Sequence, residues 1–315
     1  MESAYTMPLE IDDLDIALAK ELEIDARQSN PRLASKLGTS LSTVRRKLKR
    51  LVDEGAITFV TIPHSAILDS MTVAFFGIQA KPGRADAVLH ELQPLRSVQY
   101  SGLYMGRYDV LVMGIFRDGQ KLIDFIDEDL ATVADIVSAE MMVCVKNVKA
   151  SWRYLGGSSD VLAEPPERKL DEHEIKLVKR LEINPRESIT QMSEHVGLNR
   201  VLVGRKLQNL LNDRLVSVVG IIDPTTFGLH TLILILLEVT PGKVGAVSHA
   251  LALYSNVHHV TIISGRFNIA CWAVFQDTKE LYMFLRDDLG QIPGVIYYET
   301  MSQMRLPKLA LHFSR

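Results

Sequence analysis

The stretch EIDARQSNPRLASKLGTSLSTVRRKLKRL at residues 23–51 decides the fold, because a similar stretch occurs a second time in the chain. It returns 159 positions later as EINPRESITQMSEHVGLNRVLVGRKLQNL at residues 182–210. The same offset places Gly106-Arg107-Tyr108-Asp109 on Gly265-Arg266-Phe267-Asn268, and Glu140 on Glu299. Since one offset aligns about 135 positions, about a quarter of them identical, the sequence predicts two tandem copies of one module.

The quoted stretch belongs to a helical half-module. Leu14, Leu18 and Leu22 recur at helical spacing before it. Within it, Gly38 ends a second helix, and Ser40 can cap a third that runs from Leu41 to Glu54. Three short helices with a glycine turn predict a helix-turn-helix (HTH), a motif that places its last helix in the major groove of DNA.

The second half-module changes from helical spacing to β-branched alternation. Ala56 to Ile62 predicts a short strand or wing, and strands follow at 71–80, 98–104, 110–116 and about 136–145, with helices between them. This βαββαβ order is ferredoxin-like. The expected fold class is α+β: two tandem copies of a winged HTH domain, each followed by a ferredoxin-like domain. The expected domains are 1–62 and 63–149 in the first copy, a linker at 150–169 rich in glycine, serine and proline, and 170–221 and 222–315 in the second copy.

Composition sets the class of protein. The 315 residues are 47% hydrophobic and 23% charged, which excludes a disordered chain and a collagen-like repeat. Cys144 and Cys271 lie in apolar runs, as expected in a reduced interior, and no disulfide or metal site is predicted. The longest apolar run, Leu232 to Leu237, is too short to cross a bilayer, and the N-terminal residues do not resemble a signal peptide. We therefore expect a cytoplasmic protein without a membrane partner.

Charge placement favours DNA binding, although the net charge of −3 speaks against it. Residues 26–52 contain eight basic and no acidic residues, and five of the eight lie in the third helix. If Val44, Leu48 and Leu51 face the core, the outward face carries basic and hydroxyl groups suited to bases and phosphates. The predicted DNA-contacting residues on this face are Ser42, Thr43, Arg46, Lys47 and Arg50, with Arg45 and Lys49 on its flanks.

The equivalent window of the second copy, residues 185–211, is less basic. It holds four basic and two acidic residues, and its third helix contains Gly204, which lowers helix stability. The candidate DNA contacts are Arg200, Arg205 and Lys206. Two interpretations stay open here: this copy contacts DNA weakly, or it only packs and dimerises.

The pattern from Leu14 to Ile57 resembles the leucine-responsive/AsnC family of prokaryotic transcription regulators. The shared order is Leu-Asp, then Asp-Ala-Arg-x-Ser, Leu-Gly-x-Ser-x-x-Thr-Val-x-Arg and Gly-x-Ile. The βαββαβ module, with its Gly-x-Tyr-Asp turn at 106–109, is similar to the ligand-sensing and assembly domain of that family. Because the resemblance covers both copies, it implies a fused dimer in which the copies pair within one chain; pairing between chains is the alternative.

The resemblance also implies an effector site. In this family small effectors, often amino acids, bind near the Gly-x-Tyr-Asp turn, at interfaces between sensing domains. The corresponding positions are Gly106, Tyr108 and Asp109 in the first copy and Gly265, Phe267 and Asn268 in the second. A second interpretation is a tight turn in which Asp109 bonds backbone. If the carboxylate matters, Asn268 gives the second copy a different effector or none.

The sequence thus favours a regulator that binds specific double-stranded DNA sequences, responds to an amino-acid-like effector, self-associates through its sensing domains and associates with the nucleoid. The first copy would do most of the targeting, and the second would build the assembly. No cofactor and no enzymatic activity are expected, because no phosphate loop, zinc spacing or catalytic triad is present. One rival is a siroheme-decarboxylase-like tetrapyrrole enzyme of similar architecture, for which His258 and His259 are the candidates. The other is an architectural protein that binds DNA of any sequence.

Overall fold

The structure, a computed structural model, describes residues 9–64, 71–156, 168–304 and 308–309. Both HTH units contain the three predicted helices followed by one strand. In the first copy these are α1 (Asp13–Ile24), α2 (Asn30–Lys36), α3 (Leu41–Asp53) and β1 (Ile57–Pro63). In the second they are α6 (Glu172–Ile183), α7 (Ile189–Val196), α8 (Arg200–Asn212) and β6 (Val216–Ile222).

Side-chain caps explain where these helices begin. The Ser40 side chain accepts a hydrogen bond from the Thr43 amide and starts α3, and Asn199 does the same for α8. Between α2 and α3 the chain turns at Gly38, whose φ of +62° lies in the left-handed region that favours glycine. The helix-turn-helix geometry therefore follows from local signals in both copies.

Strand β1 is not a wing at the side of its own domain. It pairs antiparallel with β6, the equivalent strand of the second copy, from Ile57 opposite Ile222 to Pro63 opposite Val216. The two HTH units are thus joined through a two-stranded sheet. The expectation of a strand at this position is confirmed, and its partner is the other copy.

The two sensing domains have the predicted βαββαβ order. The first contains β2 (Thr72–Ala80), α4 (Ala85–Leu92), β3 (Val98–Met105), β4 (Val110–Phe116), α5 (Gly119–Asp124) and β5 (Ile136–Ala150). The second contains β7 (Thr231–Val239), α9 (Val244–Ala252), β8 (Val257–Ile263), β9 (Ile269–Phe275), α10 (Thr278–Met283) and β10 (Val295–Gln303). Helices α5 and α10 each continue through a π turn and a 3₁₀ turn.

The two four-stranded sheets join into one continuous sheet, which closes on itself because its first and last long strands also pair. The strand order is β10-β7-β9-β8-β5-β2-β4-β3, and β10 also pairs with β3. The final short strand, β11 (Lys308–Leu309), lies on β3. Strand β5 is longer than predicted because its second half leaves β2 and pairs with β8 of the other copy. Within this chain the two copies therefore pair with each other, as the fused-dimer interpretation expects.

Apolar side chains fill separate cores on the two faces of these sheets. Phe76 and Ile78 pack under the helices of the first copy, while their neighbour Phe75 points to the opposite face. On that face, Phe75 shares a cluster with Leu234 and Phe267 of the second copy. Most of the glycine- and proline-rich linker, residues 157–167, lies outside the described residues.

Candidate DNA-binding helices and effector cleft

The solvent-exposed face of α3 is defined by residues three and four positions apart. Ser42, Arg45, Arg46 and Lys49 are all exposed, while Val44, Leu48 and Leu51 are buried as predicted. Within the described part of the chain, neither Arg45 nor Arg46 makes an ion pair. Two adjacent guanidinium groups thus remain available to a ligand. Thr43 is half-buried, and its hydroxyl contacts that of Ser40 at 2.8 Å.

Lys47 does not face outward with the others, which corrects the predicted face, and Arg50 lies at its edge. The Lys47 side chain is only 10% exposed, and its Nζ lies 2.6 Å from Asp12 and 3.1 Å from Asp15 of α1. Arg50 pairs with the other Asp15 oxygen and is 38% exposed. The cause is the acidic N-terminus of α1, which approaches α3 only in the folded domain.

Ion pairs also reduce the excess of positive charge in the first copy. Lys36 pairs with Glu21 and Lys49 with Asp53. Arg27 contacts the second copy, where its guanidinium group donates hydrogen bonds to the carbonyl oxygens of Pro185 (2.7 Å) and Glu187 (2.8 Å). Of the eight basic residues in the 26–52 window, Arg32, Arg45 and Arg46 have no acidic or interdomain partner among the residues that the structure describes.

The second HTH repeats this arrangement with fewer basic groups. Lys206 pairs with Asp171, as Lys47 does with Asp12, so Lys206 is also turned away from the exposed face. Arg200 and Arg205 are exposed and have no ion pair within the described residues. The positions of Ser42 and Thr43 are taken by Val201 and Leu202, which are 80% and 41% exposed.

The Gly-x-Tyr-Asp turn joins β3 to β4, and its aspartate is engaged with backbone. Asp109 Oδ2 accepts a hydrogen bond from the Ala80 amide at 2.9 Å. In the second copy Asn268 Oδ1 accepts from the Val239 amide at 2.8 Å. Because each side chain uses one oxygen to hold the end of the neighbouring strand, β2 in the first copy and β7 in the second, the change from acid to amide preserves this contact.

The aromatic residue of each turn is buried. Phe267 is fully buried, and Tyr108 is 3% exposed with its ring over Gly77, where a Cβ would lie 2.4 Å away. The Tyr108 hydroxyl donates to Glu140 Oε2 at 2.5 Å. Burial raises the pKa of Tyr108 well above its usual value, and the Glu140 carboxylate raises it further, so this hydroxyl remains a donor.

A cleft of about 540 Å³ opens beside the first turn. Arg107 lies in it with two carboxylates: Nη2 is 3.3 Å from Glu140 of the first copy, and Nη1 is 3.3 Å from Glu299 of the second. The cleft thus contains groups from both copies and both signs of charge. Its lining residues are Gln79, Gly106, Arg107, Tyr108, Ser138, Ala139, Glu140 and Glu299.

Sequence reasoning identified Gly106 and Tyr108 but missed Arg107, Glu140 and Glu299 as cleft residues. One signal was present, because the two glutamates hold the same position in the two copies. Around the second turn, Tyr297 and Tyr298 take the places of Ser138 and Ala139.

Two family models match the chain. An AsnC-type helix-turn-helix model covers residues 11–52, and the Lrp/AsnC ligand binding domain model covers 73–153 and 232–310. The second model matches both sensing domains and half of the chain. The chain belongs to the Lrp/AsnC family. It is a tandem member, a helix-turn-helix transcriptional regulator with two ligand-binding domains.

Relatives correspond to one copy of the module. An HTH-type transcriptional regulator of Pyrococcus abyssi is 30% identical over 152 residues, which are 48% of this chain and 95% of the relative. The regulator Ptr1 of Methanocaldococcus jannaschii is 26% identical over 44% of this chain and 95% of its own length. The siroheme decarboxylase NirDL matches 93% of this chain and 91% of its own, with a TM-score of 0.59 and 11% identity. At that identity the likeness shows a shared fold only.

Of the two histidines considered for tetrapyrrole chemistry, His258 is buried and His259 is half-buried in this Lrp/AsnC protein. His258 packs against the Tyr154 ring and His259 against the Trp152 ring, with centroids 4.7 and 4.5 Å apart. Burial, together with the positive charge of Lys149, lowers the pKa of His258 to about 3 and that of His259 to about 4. Among the described residues, no group of His, Cys, Asp or Glu has the arrangement of a metal site, and no helix is long and apolar enough to span a membrane.

Proposed function

We propose that this Lrp/AsnC regulator binds operator DNA through α3, with Arg45 and Arg46 as the principal contacts. The observation that carries this proposal is their position: they are adjacent, exposed on the same face as Ser42, and free of ion pairs within the described part of the chain. Arginine bonds guanine edges and phosphates with its planar fork, and hydroxyl groups bond either. Thr43 lies beside this face. Lys49 and Arg50 lie at its edge, where a DNA phosphate can replace the aspartate with which each is paired. Lys47, which is paired with Asp12 and Asp15, is not among the proposed DNA contacts.

The effector site of this proposal is the cleft at Arg107. An amino acid carries a carboxylate that suits the guanidinium and an ammonium group that suits Glu140 or Glu299. Since Glu299 comes from the other copy, a ligand there would alter how the two sensing domains meet. Gly106 allows the first turn to pack closely against β10 of the other copy, because a Cβ on it would lie 3.0 Å from Met301. Asp109 and Asn268 stabilise their turns through hydrogen bonds with backbone amides. Gly265 and Phe267, the other predicted effector positions, belong to the turn of the second copy.

The domain division proposed from the sequence serves this function: HTH domains at 1–62 and 170–221, sensing domains at 63–149 and 222–315, and a linker at 150–169. Larger assemblies would form through the outward faces of β5 and β10, which expose Val137 (62%) and Ile296 (58%). The protein would act in the cytoplasm, on nucleoid DNA.

DNA recognition is tested by selecting bound sequences from a random duplex library and titrating the selected duplex by fluorescence anisotropy. Arg46→Ala should lose about 1–3 kcal/mol of binding free energy on the selected duplex and much less on scrambled DNA. Arg117→Ala removes an exposed arginine of the sensing domain and serves as the matched control. Equal affinity for all sequences would indicate an architectural DNA-binding protein and overturn the proposal.

The effector site is tested by thermal unfolding with each of the twenty L-amino acids. At least one should raise the Tm of the wild type, because a ligand that binds only the folded state stabilises it. Arg107→Met should abolish that shift, whereas Arg96→Ala, an exposed arginine away from the cleft, should retain it. A ligand that stabilises the Arg107→Met variant as strongly as the wild type would place the site elsewhere.

A further inference from the structure

The second HTH presents a different chemistry from the first on the same helical face. Where α3 exposes Ser42, Arg45, Arg46 and Lys49, the equivalent residues of α8 are Val201, Gly204, Arg205 and Gln208. Val201 is 80% exposed, so this valine buries almost nothing within the chain. A valine and a leucine at the exposed start of a helix gain stability only when another surface covers them.

This face is nevertheless suited to an anionic ligand. Arg200 and Arg205 remain exposed and unpaired among the described residues, against the single unpaired acid Glu194 of the same window. Once ion pairs are counted, the two copies differ less in available charge than the sequence windows indicate. The larger difference between the two helices is that α8 carries the apolar side chains of Val201 and Leu202 where α3 carries the hydroxyl groups of Ser42 and Thr43.

The two recognition helices are related by a local twofold axis. In the β1–β6 ladder Val60 lies opposite Val219, its own equivalent, as occurs when such an axis passes through the pair. Dimeric HTH proteins use this relation to place two recognition helices on two half-sites of one duplex. A duplex bound by α3 is therefore the surface that would cover Val201 and Leu202.

We infer that α8 reads a second half-site of different sequence, with Val201 and Leu202 against thymine 5-methyl groups and Arg205 against a neighbouring base or phosphate. Apolar side chains are the usual partners of the thymine methyl in the major groove. Gly204, in the place of Arg45, removes a long side chain beside Val201 and allows α8 to approach the bases closely. The operator is then asymmetric, thymine-rich on the side of the second copy, and bound in one orientation. This inference rests on the proposed function of α3.

The experiment uses the full chain and the duplex selected from the random library. Thymines in each half-site are replaced in turn by deoxyuridine, which removes only the 5-methyl group. In the half-site assigned to α8, affinity should fall about fourfold per contacted methyl group, as expected for the loss of one buried methyl. The half-site assigned to α3 should be much less sensitive. The half-sites are assigned by Arg46→Ala, which should weaken base preference only in its own half.

The matched variant is Val201→Ser with Leu202→Thr, which gives α8 the residues of α3. It should fold normally, because α3 carries these residues at the same positions, and it should lose the response to deoxyuridine. A palindromic selected site, or equal deoxyuridine effects in both halves, would overturn the inference and leave the proposed function of α3 intact. Failure of Arg46→Ala to change sequence-specific binding would overturn the proposed function itself.

Discussion

Val60 lies opposite Val219, the residue that holds its own position in the second copy. This self-equivalent pairing makes the contacts around it reciprocal. Arg27 donates to the Glu187 carbonyl oxygen, and its equivalent Arg186 donates to the Gln28 carbonyl oxygen at 3.1 Å. One chain thus contains an interface of the kind found in a symmetric homodimer, with the two halves free to differ in sequence.

The reciprocal arginines should stabilise the pairing of the HTH units. Arg27→Ala and Arg186→Ala should each lower the free energy of unfolding by about 2 kcal/mol, because each removes charge-assisted bonds to backbone carbonyl oxygens. Arg32→Ala, at an exposed position of α2, should change it by less than about 0.5 kcal/mol. Denaturant titration followed by circular dichroism measures both. If all three variants were equally stable, the interface would not depend on these contacts.

Lys47 and Arg46 are neighbours in sequence with opposite roles. Lys47→Ala should lower the free energy of unfolding by about 3 kcal/mol, because it leaves the fully buried Asp15 carboxylate with one cationic partner fewer. Arg46→Ala should weaken DNA binding and leave stability unchanged. Lys49→Ala breaks only an exposed pair with Asp53 and should cost less than about 1 kcal/mol. The roles would be wrong if Lys47→Ala were as stable as Arg46→Ala.

Much of the fold could be predicted from the sequence, because its signals are local and are repeated. The third helix was expected at 41–54 and is found at Leu41–Asp53, and the strand expected at 110–116 is Val110–Phe116. The partner of β1 could not be predicted, because strand pairing depends on segments far apart in the chain. The length of β5 was underestimated for the same reason: its second half pairs only with the other copy.

The candidate sites were predictable only where one helix determines them. The apolar spacing of α3 correctly identified its buried residues, but Lys47 was assigned to the wrong face because its acidic partners lie 35 and 32 residues earlier. The effector cleft depends on Glu299, which is 192 residues from Arg107. Neither contact leaves a periodic pattern in the sequence.

The turn residue Asp109 tests whether the carboxylate charge matters. Asp109→Asn should leave stability and effector response unchanged, because Asn268 makes the same bond to backbone in the second copy. Asp109→Ala should lower the free energy of unfolding by about 1–2 kcal/mol, since the Ala80 amide loses its acceptor. Thermal unfolding with and without the effector distinguishes the two. Loss of the response in Asp109→Asn alone would assign the carboxylate to the effector.

Glu23 connects α1 to the chain that follows β5, and it should make stability depend on pH. The residue is 1% exposed, and its carboxylate accepts hydrogen bonds from the amides of Tyr154 (2.8 Å) and Leu155 (3.2 Å). Burial raises the pKa of Glu23 from 4.5 to about 7, although these amides and the nearby Arg153 oppose the rise. The folded protein therefore keeps this proton to higher pH than the unfolded chain does.

Stability from Glu23 should accordingly fall as the pH rises from about 4.5 to about 7, by about 3 kcal/mol in total, and then level off. His258 and His259 act in the opposite sense, because their lowered pKa values make stability rise with pH up to about 6.5. The comparison is therefore between the wild type and Glu23→Gln, which keeps an oxygen acceptor but cannot ionise. Denaturant titrations at pH 5 and pH 8 should show the wild type losing about 3 kcal/mol relative to the variant. Parallel changes in the two proteins would mean that Glu23 is already ionised at pH 5.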